Sequence, residues 1–77
     1  MQVQVNGESR DVTDGTTVAA LLEQLQVHAE RVVVEVNLTI LRRHQHGGTV
    51  LRPGDRVEIV HFVGGGSATG AFRNHAG

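Results

Sequence analysis

Three consecutive glycines, Gly64, Gly65 and Gly66, follow directly on the run Glu58-Ile59-Val60-His61-Phe62-Val63. That run alternates like a strand, with Val57 and Ile59 on one face and Glu58, Val60 and Phe62 on the other. A strand that runs out into bare backbone is a tether. Glycine has no Cβ, so such a tether bends freely and clears narrow channels. A terminal carboxylate on it would be among the least hindered acyl groups a protein can offer, suited to activation inside another protein's active site. The plain alternative is a flexible linker to residues 67–77. Val60, Phe62 and Val63 lie next to the glycines, where exposed apolar side chains suggest a docking patch. Against that stands ordinary scatter of surface apolar groups, or Phe62 packing back onto the domain.

Other residues with chemistry give weaker signals. His44 and His46 stand two apart, without a thiolate or clustered carboxylate to complete the four ligands of a closed zinc site. A solvated loop is the expectation for 44–48, and no metal site is assigned. His61 alternates with Val57 and Ile59, so a partly buried structural role is expected; no nucleophile neighbours it in sequence. Arg42, Arg43, Arg52 and Arg56 form either a positive rim for an acidic partner or a solvated face paired with Glu35, Asp55 and Glu58. Gly47-Gly48 is a loop signal, and the phosphate-cradling pattern GxxxxGK[ST] is absent.

Composition narrows the function classes. A chain of 77 residues is one domain at most. It buries roughly 60% of its unfolded surface, which leaves no volume for a walled catalytic pocket. The absence of cysteine removes disulfides, thiolate metal sites and a cysteine nucleophile, and fits a reducing cytoplasm. The net charge of −1 lacks the basic excess of nucleic-acid binders. No run is apolar enough for a membrane span, and the start reads as a strand rather than a signal peptide. All seven basic residues are arginine, so no lysine amine is present to capture an activated carboxylate of the same chain.

The elements that must position the tether follow from the pattern. Residues 2–6 alternate, with Val3 and Val5 on one face, and Asn6-Gly7 is a hairpin turn signal. Residues 9–13 return as an edge strand. Thr16 or Thr17 caps a helix whose stripe is Val18, Leu21, Leu22 and Leu25, ending near Val27 without a glycine stop. Residues 31–36 are β-branched and read as a central strand. Asn37 turns the chain, Ile40-Leu41 forms a short strand and Val50-Leu51 a short bridge. Pro53-Gly54 fits a type II turn, and residues 56–63 are the last strand.

Taken in order, Val3-Gln4-Val5-Asn6-Gly7, the helix signal from Thr17 to Leu25, Pro53-Gly54-Asp55 and the ending His61-Phe62-Val63-Gly64-Gly65-Gly66 resemble the sulfur carriers of thiamine biosynthesis, the ThiS branch of the ubiquitin-like sulfur carriers. The resemblance covers about residues 1–66. Two departures stand out: Leu38 replaces the glycine usual after the turn asparagine, and Ser67 to Gly77 follow glycines that end the family's chains. The fold class that pattern and resemblance imply is α+β: a β-grasp (ubiquitin-like), a mixed four- to five-stranded sheet wrapped on one helix, with a flexible glycine-rich C-terminal tail. Its first and last strands pair in parallel, joined by the long connection such a pair requires. Residues 1–66 are the expected carrier domain and 67–77 a disordered tail: a protease removes it, or it is non-native, or this copy is inactive.

The resemblance further implies a protein cosubstrate rather than an enzyme. Gly66, freed of the tail, would be adenylated by a ubiquitin-activating-type (ThiF-like) partner using ATP and Mg. A cysteine desulfurase would supply sulfur for a thiocarboxylate, and a ThiG-like thiazole synthase would accept it. Gly64 and Gly65 would give reach, and Phe62, Val60 and Val63 the docking contacts. No cofactor is expected on the chain itself, and no nucleic acid or membrane among its partners. The remaining alternatives are a molybdopterin- or tRNA-thiolation-type carrier, and a β-grasp interaction module with a glycine linker.

Overall fold

The computed structural model describes residues 1–62. Five strands, β1 (Gln2–Val5), β2 (Glu8–Asp11), β3 (Val32–Val36), β4 (Thr39–Leu41) and β5 (Arg56–His61), form one sheet around a helix, α1 (Val18–Gln24). The order across the sheet is β2-β1-β5-β3-β4. The last strand is therefore central, and β2 is an edge as expected. It pairs in parallel with β1 (Gln4↔Arg56, Val5↔Val57) and antiparallel with β3 from Val32↔His61 to Val36↔Val57. This mixed sheet clasping one helix is the β-grasp arrangement.

Both hairpins turn on two residues with positive φ. Asn6 (φ 49°) and Gly7 (φ 84°) join β1 to β2, while Asn37 (φ 52°) and Leu38 (φ 71°) join β3 to β4. Two left-handed residues in succession give the turn a twist that matches the strands. Leu38 adopts that geometry at the position where glycine was expected, although a side chain resists it. At the start of β5, Gly54 has φ 85° and the Asp55 amide donates to Arg52 O at 3.1 Å, as the Pro-Gly turn predicts.

Thr17 caps α1, its hydroxyl accepting from the Ala20 amide at 3.1 Å. The helix is shorter than its apolar stripe and stops after Gln24, with Leu25 as cap. The stop is Gln26, left-handed at φ 60°. Its amide donates to Glu23 O at 3.0 Å and the Val27 amide to Leu22 O at 2.9 Å. That is a Schellman closure with glutamine in the usual glycine position, which is why no glycine marks the end.

Val18, Leu21 and Leu22 from the helix meet Val3, Val5, Val32, Val34, Val57 and Ile59 from the sheet, with Val12 and Leu51 closing the ends. Every one of these core residues precedes position 60. Residues 44–48, expected as a solvated loop, instead belong to a 3-10 helix, Arg43–Gly48, that packs on α1. His46 is buried there, 4% exposed. The loop reading is corrected for that residue: the segment is helical and packs on α1, and of its six residues His46 is the buried one. No helix among the described residues is long and apolar enough to cross a membrane.

Candidate functional site

The end of β5 is the candidate site. Val57 and Ile59 are buried; Glu58 and Val60 are exposed on the opposite face, Val60 to 46%. The strand is tied on both flanks almost to its end. On the β3 side the last backbone bond is from the Phe62 amide to Arg31 O at 2.9 Å. On the β1 side the Asn6 amide donates to Val57 O at 2.8 Å. Its side chain then continues the pairing: the Ile59 amide donates to Asn6 Oδ1 at 2.7 Å, and Asn6 Nδ2 donates to Ile59 O at 3.2 Å. A backbone fixed this far along delivers whatever follows Phe62 from a defined point.

Phe62 is half-buried. It lines a cavity of about 550 Å³ with Ala29, Val32, Val33, Ile40 and Leu41, bordered by Arg42 and Arg43. Ile40, 62% exposed, extends this apolar region onto the outer face of the sheet. Val63, Gly64, Gly65 and Gly66 lie outside the described residues, as do residues 67–77.

His61 is exposed, contrary to the partly buried role expected of it. It does share the helix side of β5 with Val57 and Ile59. At that height, however, β1 has turned away and α1 has ended, so His61 borders an open hollow with Val5, Asn6, Leu25, Val27 and Ile59. His46 lies on the opposite flank, its Nδ1 buried without a hydrogen-bond partner. Burial first, and the nearby Arg43 charge second, hold its pKa below the ordinary 6.5. Among the described residues no ion pair joins Arg42, Arg43, Arg52 or Arg56 to Glu35, Asp55 or Glu58; the pairs present are those of the Met1 amino group with Asp11 at 3.2 Å and Asp14 at 3.7 Å. Asp55 is engaged otherwise, accepting from the Arg52 amide at 2.9 Å and from Asn37 Nδ2 at 3.0 Å. No group of three or more His, Asp or Glu among the described residues is placed to hold a metal ion. Asn6 was noted in sequence only as a turn residue; the same residue's grip on β5 spans 53 positions and leaves no local signal.

A small β-grasp whose central strand ends at the surface, tied to its last residues, defines the ubiquitin-like class of protein. Comparison with known proteins gives the particular branch. Residues 3–66 match the model of the ThiS family, and the chain belongs to that family. It is 39% identical over 67 residues to the sulfur carrier protein ThiS of Bacillus subtilis, covering 83% of this chain and 98% of that one. A crystal structure of the thiamine biosynthesis protein ThiS from Geobacter metallireducens superposes with a TM-score of 0.75 at 39% identity, covering 86% of this chain and all of that one. A thiazole synthase of Magnetococcus marinus is 41% identical over 66 residues; the chain covers 20% of its length. In that protein a segment similar to this one is thus part of a much longer chain.

Proposed function

We propose that the chain is a sulfur carrier for thiazole formation in thiamine biosynthesis, acting as a cosubstrate of cytoplasmic partner enzymes. The observation that carries this reading is the placement of β5: central, tied to Ile59 on the β1 flank and to Phe62 on the β3 flank, and continued in sequence by Gly64-Gly65-Gly66 in a chain of the ThiS family. Residues 1–66 are the carrier domain in this reading. Gly66 becomes the terminus once a protease removes 67–77, because an internal glycine carbonyl is an amide and has no carboxylate oxygen to activate.

The chemistry then needs little from the carrier except access. A carboxylate oxygen of Gly66 attacks the α-phosphorus of ATP, pyrophosphate leaves, and an acyl-adenylate forms. ATP and Mg belong to the ubiquitin-activating-type partner. The terminal sulfur of a cysteine-desulfurase persulfide displaces AMP; a second thiol then attacks the desulfurase sulfur of the resulting acyl disulfide, so that the thiocarboxylate leaves and the two thiol sulfurs are joined as a disulfide. Thiazole synthase accepts the sulfur, a partnership favoured by the ThiS-like segment within thiazole synthases. Val60, Phe62 and Val63 form the docking contact beside the tether.

Mass spectrometry tests this directly. The chain ended at Gly66 is incubated with cysteine, a desulfurase, ATP, Mg and the activating enzyme. Replacement of one C-terminal oxygen by sulfur is the expected result. No gain, with an activating enzyme shown to charge another carrier, would leave the glycines as a linker in an interaction module. A thiocarboxylate that transfers sulfur to a molybdopterin or tRNA acceptor but not to thiazole would reassign the pathway.

A further inference from the structure

We propose that Asn6 is a positioning residue for the glycine terminus, its side-chain amide replacing the strand residue that β1 lacks and so fixing where the tether leaves the sheet. This rests on the carrier reading above. β1 pairs with β5 only at Gln4↔Arg56 and Val5↔Val57 before the chain turns away at Asn6-Gly7. The next β5 groups facing that flank belong to Ile59. Asn6 meets both: Oδ1 accepts the Ile59 amide at 2.7 Å and Nδ2 donates to the Ile59 carbonyl at 3.2 Å. A primary amide carries the donor and acceptor of a peptide unit on one short stem. Aspartate would keep the acceptor and lose the donor. The backbone at φ 49° further favours Asn, Asp or Gly.

Asn37 makes the matching contact at the other end of the same strand. At φ 52° it also sits in a hairpin turn, and its Oδ1 accepts the Arg56 amide at 3.0 Å. Each neighbour of β5 thus sends a turn asparagine onto it. Only Asn6 grips near the exit, since Ile59 lies close to Phe62 whereas Arg56 begins the strand. Asn37 is therefore the natural control for a purely structural role. Glycine at either position accepts the positive φ and deletes only the side chain.

Amide hydrogen exchange of the full chain is measured for wild type, Asn6→Gly, Asn6→Asp and Asn37→Gly, reading Ile59 against the core amide of Val34. Asn6→Gly is expected to speed exchange at Ile59 relative to Val34 roughly tenfold, while Asn37→Gly leaves that ratio unchanged. The same variants ended at Gly66, which retains every core residue among the described ones, are then assayed for adenylation by ATP–pyrophosphate exchange on the activating enzyme. Asn6→Gly is expected to lower kcat about fivefold with KM held, because body docking persists while the acyl end is less well placed. Asn6→Asp recovers part of the loss, and Asn37→Gly matches wild type. Equal behaviour of Asn6→Gly and Asn37→Gly overturns the proposal, as does exchange at Ile59 that tracks Val34. Wild type that an active activating enzyme cannot charge overturns the carrier reading and the kinetic part with it; the exchange ratio still decides whether Asn6 holds the strand end.

Discussion

His46 is buried with Nδ1 unsatisfied, and unpaired buried polar atoms are uncommon. Its folded pKa is lowered from 6.5, chiefly by burial. Between the lowered value and 6.5 the unfolded chain binds the proton and the folded chain does not, so stability falls as pH falls through that window and is constant above it. The urea midpoint should drop as pH falls below about 6.5, and His46→Leu should flatten that slope. Leu38 makes a second residue-scale case. It holds φ 71° while 88% exposed, so its side chain gains little from burial. Leu38→Gly should stabilise the fold by about 1 kcal/mol, the cost of a left-handed side chain, read as a higher urea midpoint. Phe62→Asp, at the cavity edge, should weaken binding to the activating enzyme while leaving the circular dichroism spectrum and melting transition in place; unchanged affinity would end its docking role. Neither the burial of His46 nor the grip of Asn6 was legible in sequence. Both depend on which distant segment arrives alongside, and periodicity carries only local information.

At the scale of elements, β5 and β1 were readable because alternation survives where one face is buried, and Val57, Ile59, Val3 and Val5 all face the core. The helix type was readable for the same reason; its end was not. Gln26 takes over the left-handed stop that glycine normally signals, so the apolar stripe continues to Leu25 while the helix ends at Gln24. Leu21 is wholly buried between α1 and the sheet. Leu21→Ala should cost about 2–5 kcal/mol through lost contact and residual cavity, measurable by chemical denaturation. A smaller loss would show that the clasp collapses around the gap.

For the whole molecule, the strand order came within reach of sequence because a parallel pair needs a long connection, and the stretch between β1 and β5 supplies it. The site was legible only to its threshold: the alternation leads to Phe62, and the glycines have no side chains from which to read contacts. Among the described residues, all those of the core precede position 60. Ending the chain at Gly66 should therefore shift unfolding free energy by less than about 0.5 kcal/mol, as surface changes do. A larger shift would show that residues 67–77 contribute to the fold.

The central position of β5 also has a mechanical consequence. A force applied at the C-terminal end loads this strand lengthwise, between a parallel neighbour and an antiparallel one. Its hydrogen bonds on both sides are then sheared together rather than unzipped one at a time. An unfoldase pulling from that end has to break them together, so the unfolding rate governs how fast it succeeds. Resistance to being threaded tail-first is thus built into the same strand that presents the terminus.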